Sequence, residues 1–449
     1  MENRVQIFEV STLYGLACLH AAVAAGQFDE TQQPRRLLVV SNNAQVPEAV
    51  ADLRDNPDFA RLAAVFDQVV SLNETLDPLH PGHWRPTPEE APVWERAFRA
   101  LWDLGTRPVE LIMESIQVPP AWSLAWVFAQ ADITIYADGL MTYGPTRIKL
   151  DAEIGTRVRR VLHLPLVPDL TPLLLQEFDV ARTEAPLEGT KNVLAEVGST
   201  IDLDVPTDRP VTVLLGQYLS PLGLLSPAEE ADLHAQMARH AIELGARTLV
   251  FKPHPTAPAD LTGPLLEVAA EHDVPVHVCT APVLAETLFA RLDVERVIGC
   301  FSTGLMTAST LFQIPAHRVG TPDLLRRLAP LANSNRIPLL LVDRLLTGPD
   351  HPTPATPERI AELVVALGYV MQPEVLVHRR ADAIAVLSGP LSDRERTLFP
   401  PARLAELDLP GGRHTVRTRV LPLARRVARR VYATERRLEQ RLGRGIRGA

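Results

Sequence analysis

Short apolar runs alternate along this chain with longer stretches in which apolar residues recur every three or four positions. In the first half the short runs Val5–Val10, Leu37–Ser41, Phe66–Ser71, Val109–Met113 and Ile133–Tyr136 predict strands. Between them Leu13–Ala25, Pro88–Leu104 and Ala121–Gln130 predict helices. β-Branched runs joined through helical stretches need crossover connections, which predicts parallel sheets. From about Pro165 to Pro210 the periodicity fades among Pro, Thr and Glu, so this stretch reads as a connection. The alternation then restarts. Val211–Leu215, Thr248–Phe251, Val276–Val278 and Val297–Gly299 predict strands, and Ser226–Leu244, Pro282–Arg291 and Gly304–Gln313 predict helices. Ser226-Pro227-Ala228-Glu229 is a strong helix start, with a capping serine, proline at the first helical position and an acid two residues on. The pattern predicts an α/β protein of two doubly wound, Rossmann-like domains, at 1–190 and 205–400.

Composition narrows the class. With 449 residues and 46% hydrophobic side chains there is ample material for two large cores. A formal net charge of −9 excludes a nucleic-acid binder as the whole-protein reading. The three cysteines, Cys18, Cys279 and Cys300, form no Cys-x-x-Cys pair, so neither a disulfide framework nor a zinc ribbon is expected and a reducing compartment fits. Leu13–Ala25 follows Arg4 as an export signal's apolar segment would. Tyr14 and His20 interrupt it, and Glu2 and Glu9 spoil the positive flank, so a strand and a helix are expected there instead. No run reaches the ~18 apolar residues of a membrane span, and the expectation is a cytoplasmic protein. Charge is unevenly placed: 411–449 holds twelve arginines and two glutamates, a surplus of ten, which leaves −19 for the rest. This tail mixes Arg with Val, Leu and Tyr at near-helical spacing. It predicts an amphipathic helix lying on an anionic membrane face or packing back on the acidic body.

Ligands of doubly wound sheets bind beyond the carboxyl ends of strands, and three short segments lie there. Tyr136-Ala137-Asp138-Gly139 is an ordinary turn by composition, or a carboxylate at a cleft able to take a proton from a hydroxyl. Lys252-Pro253-His254-Pro255 is a rigid loop, or a positioned imidazole that meets a phosphate. Phe301-Ser302-Thr303-Gly304 opens a helix, with Ser302 or Thr303 as its cap; the free N–H groups there also suit a phosphate. Gly216 and Gln217, after the first strand of the second domain, are candidates for touching a nucleotide. Ser11, Thr12, Gly15 and Glu114 follow other strands, and Glu114 is placed to assist Asp138. Asp202-Leu203-Asp204 has the spacing of a metal-binding pair but falls in the irregular connection, and no His/Cys/Asp set has metal spacing. No metal and no cofactor is expected.

In this order and context the three segments resemble the bacterial sialyltransferases, including the capsular polysialyltransferases. Those enzymes carry a D/E-D/E-G, an HP and a Ser-Ser/Thr motif. Ala137-Asp138-Gly139, His254-Pro255 and Ser302-Thr303 look like these motifs, and the resemblance covers roughly residues 5 to 320. It implies a GT-B glycosyltransferase, its two domains facing across a cleft, that transfers sialic acid from CMP-sialic acid to a glycan, with inversion and without a metal. It implies Asp138 as base and His254 as acid or phosphate partner, with Gly139, Pro255, Ser302, Thr303, Gly216 and Gln217 around the substrates. The acceptor it implies is a glycan, and a lipid-linked one would suit a position at the inner membrane face. Ala137 departs from the pattern by lacking the first acid. Another GT-B transferase or nucleotide-sugar epimerase, and an inactive nucleotide- or glycan-binding protein, are the alternatives.

Overall fold

The computed structural model describes residues 4–29, 34–44, 50–254, 259–350 and 353–413. Pro255 and the arginine-rich tail beyond residue 413 lie outside them.

The first sheet has seven parallel strands in the order β3-β2-β1-β4-β5-β6-β7. They are β1 (Val5–Val10), β2 (Arg35–Val40), β3 (Gln68–Ser71), β4 (Val109–Met113), β5 (Asp132–Ala137), β6 (Val158–His163) and β7 (Ala181–Glu184). The second sheet has five, β10-β9-β8-β11-β12. Its strands are β8 (Val211–Leu215), β9 (Leu249–Lys252), β10 (Val276–Val278), β11 (Val294–Gly299) and β12 (Ala316–Arg318). Helices cover both sheets, so the central strands are buried and predominantly apolar, with a few polar residues such as Gln6 and Glu9 among them. All of β1 and all of β8 are buried. The topology is that of two doubly wound units, the GT-B arrangement. In each sheet the order reverses at one point, between β1 and β4 and between β8 and β11, and a crevice opens there.

Three departures from the sequence reading have physical causes. The stretch read as an irregular connection contains β7 and the helix Leu187–Glu196. β7 is an edge strand, Ala-Arg-Thr-Glu, open to solvent on one side, so it needs no apolar run. The helix between the two halves meets both Leu13–Ala24 and Ala285–Arg291. Thr287 donates to Val197 O at 2.8 Å just past its end. Strand β6 is interrupted by Arg159 and Arg160, which hid it. Arg160 donates to Gln27 O at 2.9 Å and lies 5.1 Å over the Phe28 ring, so its charge sits at the sheet's flank.

The start at Ser226 is a full capping box: its hydroxyl accepts from Glu229 N, and the Glu229 side chain accepts from Ser226 N at 2.8 Å. Predicted helix ends run long; the segment expected as Pro88–Leu104 is helical over Ala91–Leu101. After β12 come helices the periodicity reading had not separated, chiefly Arg336–Leu345, Pro357–Met371 and Arg380–Ser388. Pro357–Met371 returns to the first half. Gln372, just past its end, donates to Arg147 O at 2.8 Å, and Gly368 lies against Leu173. No described helix is long and apolar enough to cross a membrane.

Candidate active site

Each candidate stands beyond the carboxyl end of a strand, where parallel sheets place ligands. Asp138 follows β5 and Glu114 follows β4, while Glu9 is the penultimate residue of β1. β1, β4 and β5 are neighbours, so three carboxyl groups far apart in sequence end on one floor. Ser11 donates to Glu114 Oε2 at 2.5 Å, and Ser41 donates to Glu9 Oε1 at 2.9 Å. The Tyr136 hydroxyl donates to Glu9 O at 3.1 Å and closes the floor from below.

Gly15 packs closely beneath the acid. A β-carbon there would sit 3.0 Å from Thr12 Oγ1 and 3.3 Å from the Tyr136 oxygen, and in ordinary contact with Asp138 Oδ2 at 3.4 Å. Asp138 therefore lies against the first turn of the helix Leu13–Ala24, whose capping Thr12 accepts from Gly15 N at 2.9 Å.

Burial dominates the electrostatics of this floor. It raises the Asp138 pKa to about 7, with the negative charge of Glu114 adding to the effect. Burial, then the charge of Glu114, lifts Glu9 to about 8 against the opposing hydrogen bond from Ser41. Glu114 is itself raised by burial, with the Ser11 hydrogen bond opposing. Burial thus favours the protonated form of all three acids and lifts Asp138 toward neutral pH, where a base for proton transfer works best.

From the other half, the loops after β8, β9 and β11 touch one another. Gly216 N donates to Lys252 O at 2.8 Å, and a β-carbon on Gly216 would stand 3.0 Å from Pro253 Cα, so only glycine lets these loops meet. Gln217 is buried; its carboxamide accepts from Phe301 N at 3.1 Å and donates to Leu215 O at 2.8 Å. It ties the loop after β8 to the loop after β11. Ser302 caps the helix Thr303–Thr310, accepting from Gly304 N at 3.1 Å, and Thr303 is left to face the cleft. His254 stacks on Tyr218, ring centroids 5.0 Å apart, and is open to solvent; crowding by protein atoms lowers its pKa below the ordinary value.

Between the halves lies a cavity of about 580 Å³. Asp138, Gly139, Glu9, Glu114 and Arg147 line it from one side, and Phe301, Thr303 and Asn335 from the other. A β-carbon built at Gly139 would stand 3.6 Å from Thr303 Oγ1 across the cleft. The structure thus brings Asp138, Gly139 and Thr303 together. Ser302, His254, Gly216 and Gln217 are not among that cavity's lining residues. An adjoining cavity of about 480 Å³ has Ser11, Thr12, Asn42 and Asn73 on one wall and Lys252 and Pro282 on the other. Asp202 and Asp204 form a local turn, Asp204 N donating to Asp202 Oδ1 at 3.1 Å. Sequence reasoning missed Glu9 and Arg147. The signal for Glu9 was present, an acid near the end of an otherwise apolar buried strand; Arg147 had none.

A family model described as alpha-2,8-polysialyltransferase (POLYST) matches residues 6–321. The chain belongs to this family. Membership places it among sialyltransferases, and the match spans the described residues that line the cavity except Ala332, Ser334, Asn335, Pro338, Met371 and Gln372. No curated protein sequence matches this polysialyltransferase-family chain. Among solved structures it is similar in backbone course to Acinetobacter baumannii MurG, at 11% identity over 85% of this chain and 94% of that one, TM-score 0.41. The GT-B domain of a Photobacterium damselae sialyltransferase shows 11% identity over 76% and 97%, TM-score 0.39. A Neisseria meningitidis UDP-GlcNAc 2-epimerase shows 10% over 83% and 100%, TM-score 0.43.

Proposed function

We propose that this family member is an inverting transferase that moves sialic acid from CMP-sialic acid to a glycan hydroxyl. The observation that carries the reading is the apposition of Asp138 and Thr303 across one cavity, at the crevices of both sheets. Asp138 takes the proton of the acceptor hydroxyl as its oxygen bonds to the anomeric carbon of the donor sugar. The bond from that carbon to the phosphate oxygen breaks on the opposite face, and CMP departs with the electron pair. Thr303 and the partial positive charge at the start of the helix Thr303–Thr310 receive the phosphate. His254, stacked on Tyr218, is the candidate to donate a proton or hydrogen bond to it.

Incubation with CMP-sialic acid and, separately, UDP-sugars tests this. Release of CMP but not UDP, unaffected by excess EDTA, is expected; release of UDP alone would move the assignment to another nucleotide-sugar enzyme. CMP binding with no turnover on any acceptor would favour an inactive binding protein, the reading to which Ala137 lends support.

The pH profile follows from the acids on the floor. A base works when ionised, so kcat/KM rises with pH through about 7, the Asp138 value. Glu114→Gln removes a negative charge beside Asp138. It therefore shifts this rising limb to lower pH, because the remaining anion is easier to form. A limb that stays in place or moves up would show that Asp138 is not the group being titrated.

The tail belongs to the same proposal: it holds the enzyme at an anionic membrane, near a lipid-linked acceptor. Each arginine at such a surface contributes about 1 kcal/mol. The full chain is expected to sediment with anionic liposomes at low salt, and a chain ending at residue 410 is expected to stay folded and remain in solution. Absence of binding by the full chain would refute the anchor.

A further inference from the structure

Arg147 is the one cation among the described residues lining the 580 Å³ cavity, whose acids are Glu9, Glu114 and Asp138. Its backbone is held on two sides: its N–H donates to Gln117 Oε1 at 2.7 Å, and its carbonyl accepts from Gln372 Nε2 at 2.8 Å. The residue is thus rooted where the loop after β5 meets the returning C-terminal helix. The guanidinium is not similarly engaged. Among the described residues its guanidinium makes one polar contact, a long one from Nη1 to Ser334 Oγ at 3.5 Å, and pairs with no carboxylate. Other described arginines that are partly or fully sheltered meet several carbonyls, as Arg157, Arg182 and Arg336 do.

We propose that Arg147 binds the carboxylate of a sialic acid residue in this cavity, and so makes the site select an acidic sugar over a neutral one. The inference rests on the transferase reading above and names the residue that would enforce its substrate class. A carboxylate brought among three acids is repelled, and it would also hold Asp138 in the protonated, inactive form. A guanidinium placed beside it removes both penalties, and its planar fork matches the two oxygens of a carboxylate. Two sources share that chemistry: the sugar of the donor, and the terminal residue of a sialylated acceptor.

The test uses the full-length protein, with CMP, CMP-sialic acid and the methyl ester of its carboxylate as probes. Wild type is expected to bind the acid about 10–100-fold more tightly than the ester, the range for a hydrogen bond to a charged group. R147Q should abolish that preference with CMP affinity unchanged, and R147K should keep part of it. This result assigns the carboxylate to the donor. If the preference is found instead in KM for a sialylated acceptor against its methyl ester, and R147Q removes it, Arg147 serves the acceptor. The proposal is overturned if wild type treats acid and ester alike on both sides. It is also overturned if R147Q retains the preference, or loses CMP affinity equally. Should R147Q not fold, the acid and ester pairs on wild type and R147K decide the matter. A wild type that binds no CMP would remove the transferase reading itself, which is a different result from CMP binding without discrimination.

Discussion

Asp138→Asn is expected to lower turnover by about 10²–10⁴-fold, the span that general-base catalysis contributes. The substitution keeps the shape of the side chain and its place against Gly15 but removes the lone basic site. In barrier terms the loss corresponds to roughly 2.7–5.5 kcal/mol. CMP affinity should survive, because the phosphate contacts proposed for Thr303 and the Thr303–Thr310 helix come from the other half of the molecule. The rising limb of the pH profile near 7 should vanish along with the activity. Steady-state rates and CMP titrations on one preparation check both parts. Near-normal turnover by the variant would remove Asp138 from the mechanism, and Glu114, the acid whose charge acts on it, would become the first residue to examine.

The second large effect concerns stability. Arg318, the last residue of β12, is fully buried. Its Nη1 meets Asp350 Oδ1 at 2.6 Å, and its Nε donates to Asp343 O at 3.0 Å and lies 3.4 Å from Asp343 Oδ1. Asp343, also buried, accepts from the Thr321 hydroxyl at 2.7 Å and from Arg394 at 2.5 Å. One carboxylate thus links β12, the helix Thr321–Arg327, its own helix Arg336–Leu345 and the chain's last described helices. Asp343→Ala leaves two guanidiniums sharing Asp350 and orphans a buried hydroxyl. Breaking a buried ion pair from one side costs about 3–5 kcal/mol, and that loss is expected for the C-terminal half by chemical denaturation. Replacing the pair together, Arg318→Met with Asp343→Leu, should recover part of it, since no uncompensated charge remains between them. A loss below about 1 kcal/mol for Asp343→Ala would mean that water already reaches the network. The helix Arg336–Leu345 begins beside Asn335 at the cavity, so loosening it should also weaken donor binding.

Much of this protein was legible without a structure because its signals are local. An apolar run or a helical period depends on neighbours a few residues away, so β1, β4, β8 and β10 lie where the pattern put them, residue for residue. The capping box at Ser226 is written in four consecutive residues. The segments around Asp138, His254 and Ser302 could be singled out because each joins a strand end to a turn or helix start. Elements whose sequences answer to distant partners stayed hidden. β7 is polar because it is an edge, and β6 carries arginines because Phe28 and Gln27 receive one of them.

Only the tertiary structure decided the chemistry of the site. Strand order, set by long-range pairing, places β1, β4 and β5 side by side. That adjacency turns Glu9, Glu114 and Asp138, unrelated along the chain, into one buried acidic floor, where desolvation, with the charge of Glu114 adding to it, brings Asp138 to about 7. Folding also divided the roles within motifs. Ser302 is committed to capping and Gln217 to bridging two loops, whereas Thr303 faces Gly139. Arg147 acquires its place through Gln117 and Gln372, one 30 residues before it and the other 225 after. A pattern of neighbours cannot carry such information, because a side chain's charge state and accessibility depend on groups brought close only when the chain has folded.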